Sequence, residues 1–168
     1  MCIRDRSSLS DWVSSQFDPS LSWKDITDIR NIWDKKLIIK GIMDKEDAIA
    51  AVHAGADAIV VSNHGGRQLD GTISSIEALP SVLDAVGDRC EVWMDGGIRT
   101  GQDILRVVAL GATGTLIGRA FLYGLGANGY EGVYQTLEIL RKELDLTMGL
   151  CGQKDLTKVD RSILHKYQ

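Results

Sequence analysis

The sequence predicts an α/β fold of four strand-helix units in series, half of an eight-stranded (β/α)8 barrel. Three observations lead there. Short apolar runs of strand length alternate with amphipathic helical patterns, the chain repeats itself at an interval of two such units, and a polar cluster follows every strand. A length of 168 residues accommodates one ordinary domain but falls short of the roughly 200 to 250 residues of a closed barrel.

The elements follow in order. Met1 to Ser8 reads M-C-I-R-D-R-S-S and lacks the apolar region of a signal peptide, so residues 1–20 are read as a leader or non-native segment and 21–168 as the domain. Ser22 precedes Trp23, Ile26, Ile29 and Trp33 at helical spacing, with Asp25 placed as in a capping box. Leu37-Ile38-Ile39, ending at Lys40-Gly41, has the continuous apolar character of a parallel strand buried on both faces. Asp44 caps the next helix, which buries Ala48, Ile49 and Val52 and stops at Gly55.

Ala58 to Val61 gives a second strand, and Ile76, Leu79, Leu83 and Val86 mark a helix from about Ser75 to Val86. Val92-Trp93-Met94 is a third strand, Thr100 caps a helix through Leu110, and Thr115-Leu116-Ile117 is a fourth strand. A long helix then carries Val133, Leu137, Leu140 and Leu144 on one face.

Sliding the chain by 56 positions lays Gly41-Ile42 on Gly97-Ile98, Asp47-Ala48-Ile49 on Asp103-Ile104-Leu105, and Gly55-Ala56 on Gly111-Ala112. That interval spans two strand-helix units, so the four units read as parallel strands joined by right-handed crossovers.

Composition narrows the partners. With 44% apolar and 25% charged residues the chain has the balance of a soluble globular domain, which excludes disordered and collagen-like classes. A net charge of -4 and a pI near 5.3 give no reason to expect nucleic acid. Cysteines at 2, 90 and 151 are odd in number and without C-x-x-C spacing, so neither a disulfide framework nor a bound metal is expected, and a reducing cytosol fits best. The longest uncharged stretch, Val107 to Gly118, is too short and too glycine-broken to span a bilayer.

In α/β barrels the loops at the carboxyl ends of the strands build the site, and those after the last two strands commonly hold phosphate. Here those tips are Lys40, then Ser62-Asn63-His64-Gly65-Gly66-Arg67-Gln68-Leu69-Asp70, then Asp95-Gly96-Gly97-Ile98-Arg99, then Gly118-Arg119. Lys40 alone reads as a solvated strand-end lysine, while His53 and His165 read as surface histidines. His64 with Arg67 is more specific. A neutral imidazole can take a proton while a nearby guanidinium clamps a carboxylate, which are the two needs of a 2-hydroxy acid site. Gly96, Gly97 and Gly118 let backbone amides approach an anion, Thr100 opens a helix N-terminus, and Arg99 and Arg119 add charge, so a phosphate is expected there. Asp95 would repel that phosphate and suits sugar-like hydroxyls instead, and a nucleotide tail satisfies both.

At these residues the sequence resembles the FMN-dependent 2-hydroxy acid oxidases and dehydrogenases, the family of glycolate oxidase and bacterial L-lactate dehydrogenase. The likeness covers roughly Leu21 to Leu164. It is carried by S-N-H-G-G-R-Q-L-D at Ser62 to Asp70, I-I-K-G-I at Ile38 to Ile42, D-G-G-I-R at Asp95 to Arg99 and G-R-A at Gly118 to Ala120.

The resemblance implies that this is the C-terminal half of a TIM barrel that oxidises a small L-2-hydroxy acid, such as L-lactate or glycolate, to the 2-oxo acid. It makes His64 the base and Arg67 the carboxylate clamp. It places Lys40 near N1 and O2 of the FMN ring, Ser62 on the ring, Asp95 on the ribityl chain, and Gly96, Gly97, Arg99, Gly118 and Arg119 around the phosphate. Oxygen, a quinone or a cytochrome would reoxidise the flavin in a homo-oligomeric parent that is cytoplasmic or peripheral on the inner membrane. The family's first half-barrel, with its substrate tyrosines and the aspartate that orients the histidine, has no counterpart in this chain. Asp70 is not that partner, because Leu69-Asp70-Gly71 makes a turn. The chain alone is therefore expected to be inactive and, with two open sheet edges, to aggregate or pair. Two rival readings are a non-catalytic half-barrel that binds flavin or phosphate, and a phosphosugar-type barrel enzyme, which leaves His64, Arg67 and Lys40 without a task.

Overall fold

A computed structural model describes residues 12, 15, 16 and 18–165. The leader read at Met1 to Ser8 lies outside the described residues. Among the described residues, five α-helices and four strands carry the fold: α1 (Trp23–Ile32), β1 (Ile38–Ile42), α2 (Lys45–His53), β2 (Ala58–Val61), α3 (Ser75–Val86), β3 (Glu91–Met94), α4 (Gly101–Leu110), β4 (Gly114–Thr115) and α5 (Arg119–Leu150). The sheet runs β1-β2-β3-β4 with every pairing parallel, as the strand-helix alternation predicts.

Local chemistry sets the helix ends. The Asp25 carboxylate accepts from both the Ser22 amide and hydroxyl, and Asp44 accepts from the Glu46 amide. Glu77 does for Ser74 what Asp25 does for Ser22, and Thr100 exchanges hydrogen bonds with Asp103. Gly111 closes α4 in the left-handed conformation.

The main core lies between the sheet and the helices on its outer face, where Ile59 and Val61 of β2 and Val92 and Met94 of β3 meet Ala48, Ala51, Leu79, Val82 and Val107. A second cluster joins Leu105 and Ala109 of α4 to Leu144 and Met148 of α5 and to Val159. At the amino ends of the strands Asp57 binds the fold together. It accepts from the Leu37 amide at 2.8 Å, from Arg30 at 3.0 Å and from Lys36 at 3.0 Å.

Three expectations change. β1 is not buried on both faces: Ile39 joins the core, but Ile38 is 59% exposed on the inner face, where no described element packs against it. The fourth strand is Gly114–Thr115 instead of Thr115 to Ile117. Leu116 donates to the Met94 carbonyl, the last residue of β3, and beyond that point the edge has no ladder to join. The long helix begins at Arg119 and turns sharply at Asn128 and Gly129, whose backbone is non-helical. That reversal brings Gly124 and Gly132 into backbone contact, where a Cβ on either would collide with the other's carbonyl. Leu140 is the buried member of the predicted apolar face, while Leu137 is about half exposed.

Candidate functional site

All four strand tips converge on one cavity of about 710 Å³ at the carboxyl rim of the sheet. It is lined by Lys40 from β1, His64 and Arg67 after β2, Asp95, Gly96, Gly97 and Arg99 after β3, and Gly118 and Arg119 after β4. The geometry therefore brings together the imidazole, the cations and the glycines that the sequence singled out, with one exception. Ser62 is buried and does not line the cavity. Its Oγ accepts from Lys40 Nζ at 2.8 Å and from the His64 amide at 3.2 Å, so it holds two lining residues from behind.

Lys40 projects from the inner face of β1, and its Nζ lies 2.9 Å from Asp95 Oδ2 across the tip of β2. The other carboxylate oxygen, Oδ1, is buried without a hydrogen-bond partner. A buried acceptor is costly unless a donor reaches it, so Asp95 is poised for a ligand hydroxyl or N–H.

The loop after β2 is built to present His64. His64, Gly65 and Gly66 all have positive φ, at 53°, 69° and 71°, a conformation that costs a non-glycine residue about 1 kcal/mol. Local bonds hold it: Asn63 Oδ1 accepts from the Gly65 amide at 3.0 Å and the Asn63 carbonyl from the Gly66 amide at 3.0 Å. The imidazole lies over Gly41, where a Cβ would come within 3.0 Å of its Cε1. Gly41 also carries the irregularity in the β1–β2 register, and at its φ of 105° a side chain would be strained and would press on the imidazole.

Two expectations about the anion cradle are refined. The amino end of α4 is closed to a ligand, because Glu143 Oε2 accepts from the Gly101 amide at 2.9 Å and Asp103 from the Arg99 and Thr100 amides. Burial raises the Asp103 carboxyl, but those amide bonds and the Thr100 hydroxyl outweigh it and hold the group below the usual carboxylate range. The open amino end is that of α5, where Gly118 provides no side-chain cap and a Cβ on Gly97 or Gly118 would meet open space. Arg119 does not stand free there: its Nη2 donates to the Gly65 carbonyl at 2.8 Å.

Sequence reasoning missed Gly41, Asn63 and Ser75. Ser75 is buried, its Oγ accepts from the Asn63 amide at 3.3 Å, and it would lie 3.1 Å from a Cβ on Gly96. Serine at the start of a helix reads as a capping residue, and only the fold shows it supporting two strand tips at once. Among the described residues no cluster of His, Cys, Asp or Glu is arranged to hold a metal, and no helix is long and apolar enough to cross a membrane.

As a chemical device the rim gathers around one cavity the uncapped amino end of α5, a carboxylate beside an ammonium, an imidazole and guanidinium groups. A model of the FMN-dependent dehydrogenases matches residues 3–166. The chain belongs to the FMN-dependent dehydrogenase family. Among curated relatives of the family, the L-lactate dehydrogenase of Caulobacter sp. (strain K31) is 55% identical over 155 residues, covering 92% of this chain and 41% of the relative. The L-lactate dehydrogenase of Vibrio cholerae serotype O1 (strain M66-2) is 51% identical over 155 residues with the same coverage. This FMN-dependent dehydrogenase chain thus spans about two fifths of the length of those relatives.

Solved structures agree on the fold. A mandelate oxidase variant with a monooxide FMN adduct matches with a TM-score of 0.78 and 47% identity, over 81% of this chain and 43% of that one. A monotopic membrane protein, (S)-mandelate dehydrogenase, matches with a TM-score of 0.88 and 39% identity, over 94% of this chain and 42% of that one. The four-stranded sheet is part of a TIM barrel.

Proposed function

We propose that this chain supplies the cofactor- and substrate-binding half of an enzyme that oxidises a small L-2-hydroxy acid, such as L-lactate or glycolate, to its 2-oxo acid with FMN. The observation that carries the reading is that Lys40, His64, Arg67, Asp95, Gly97, Gly118 and Arg119 line one cavity, with Asp95 Oδ1 buried and partnerless.

The residues present fit FMN. The α5 amino end with Gly97, Gly118, Arg99 and Arg119 would hold its phosphate, and Asp95 would accept from a ribityl hydroxyl. Lys40 offers a fixed cation to the electron-rich edge of the ring. Bound there, FMN supplies the two-electron acceptor that the side chains themselves lack.

The remaining work falls to the protein. Arg67 holds the substrate carboxylate through a forked pair of hydrogen bonds. An imidazole nitrogen of His64 takes the proton of the substrate hydroxyl and is kept in place by Gly41 beneath it and by the Ser62 and Asn63 bonds to its loop. Ser62 positions Lys40 and His64 in place of touching the ring. The L-lactate dehydrogenase relatives support the substrate class. Reoxidation by oxygen, a quinone or a cytochrome, a homo-oligomeric parent, and a cytoplasmic or membrane-peripheral location belong to the same proposal.

The chain alone is proposed to bind without turning over, because the exposed Ile38, on the same face of β1 as Lys40, leaves that side of the site open to water. Quenching of FMN fluorescence on titration with the chain tests the cofactor site. Bleaching of the bound flavin's visible absorbance by L-lactate separates catalysis from binding. Failure of FMN to bind at micromolar concentrations sinks the proposal.

A further inference from the structure

We infer that Arg119 is a positioning residue for His64, which couples occupation of the anion cradle to the order of the catalytic loop. The inference deepens the function proposed above and rests on the cradle taking a phosphate.

Three observations carry it. First, the Arg119 guanidinium spans from the tip of β4 to the tip of β2, passing β3, and its Nη2 donates to the Gly65 carbonyl at 2.8 Å. Gly65 leaves room for this approach, since a Cβ there would lie 2.7 Å from the same nitrogen. Second, Gly65 sits between His64 and Gly66 in a run of three left-handed residues. The other bonds to that run come from Ser62 and Asn63, its immediate neighbours in sequence. Arg119 ties it to a different element, 54 residues away. Third, Arg119 is the first residue of α5, whose amino end is the uncapped one.

A guanidinium has five donors in a rigid plane. One serves the Gly65 carbonyl, which leaves four for an anion in the cavity that Arg119 lines. A phosphate there fixes the plane, and the fixed plane holds the loop that carries the imidazole. Lysine, a point charge, can attract the anion or reach the carbonyl but does not join the two.

Hydrogen exchange at the Gly65 and Gly66 amides reads the loop directly, because both amides are bonded within it. Without ligand, Arg119→Ala is expected to speed exchange at these amides roughly tenfold, while the first turn of α5 is unaffected. Saturating FMN, or inorganic phosphate alone, is expected to slow exchange in the unmodified chain but not in Arg119→Ala or Arg119→Lys. Guanidinium ion added to Arg119→Ala should restore part of the protection, an effect that a merely structural role for Arg119 does not produce. FMN binding is followed separately by fluorescence. If FMN binds and leaves the loop unchanged, the coupling is overturned while the cofactor reading stands. If FMN does not bind, the cofactor reading fails, and the ligand-free comparison alone decides whether Arg119 positions the loop. Equal exchange in the two unliganded proteins overturns the inference.

Discussion

Glu143 closes the amino end of α4: its Oε2 accepts from the Gly101 amide at 2.9 Å. The two helices approach so closely there that a Cβ on Gly101 would fall on the backbone of Glu143 and Leu144. Gly101→Ala is therefore expected to destabilise the chain by about 3 kcal/mol, since backbone cannot yield as a side chain does. Urea unfolding checks it, and a loss no larger than that of an exposed substitution would mean the helices separate at little cost.

The orphaned Oδ1 makes Asp95 the sharpest test of the cofactor site. Asp95→Ala removes that acceptor along with the anionic partner of Lys40, so FMN affinity should fall at least about tenfold. Asp95→Asn retains an oxygen and should lose less. Fluorescence titration of both variants ranks them, and equal affinity of Asp95→Ala and the unmodified chain would remove Asp95 from the site.

In a barrel completed by its remaining strands, His64→Ala should lower the rate by about 10²- to 10⁴-fold, the usual contribution of a general base. Flavin content should be unchanged, because Arg119 bonds to the Gly65 carbonyl of the loop and not to the imidazole that the substitution removes. Arg67→Lys should act on substrate binding instead, and steady-state kinetics with L-lactate distinguishes the two.

Asp57 gives the fold a dependence on acid. The Leu37 amide, reinforced by Lys36 and Arg30, lowers its carboxyl from 3.8 to about 2. A depressed pKa means the folded state favours the ionised form. This stabilisation is fully present above the unfolded value near 3.8 and is lost as pH falls through about 2. Acid titrations followed by circular dichroism should show Asp57→Asn less stable than the unmodified chain at neutral pH, with the gap narrowing from about pH 4 downward. A constant gap across that range would contradict the assignment.

Local sequence was enough for whatever depends on neighbours along the chain. The helix starts at Ser22, Asp44 and Thr100, the second strand at Ala58 to Val61, and the order of four parallel units were legible because capping, periodicity and glycine stops act over a few residues. The rim was legible for the same reason, since strand tips on parallel strands share one face.

Tertiary structure decided what depends on distant partners. Whether β1 is buried depends on what lies over its inner face, and whether β4 extends depends on how far β3 reaches. Which helix end stays open was decided by Glu143, 42 residues from the amide that it caps. Arg119 turned toward Gly65, and Ser62 sank beneath Lys40, for want of anything in their own segments to forbid it. Residue type and spacing determine which groups reach the rim; the packing of remote elements determines which way each then faces, because hydrogen bonds and steric contacts act through space and leave no periodic trace in the chain.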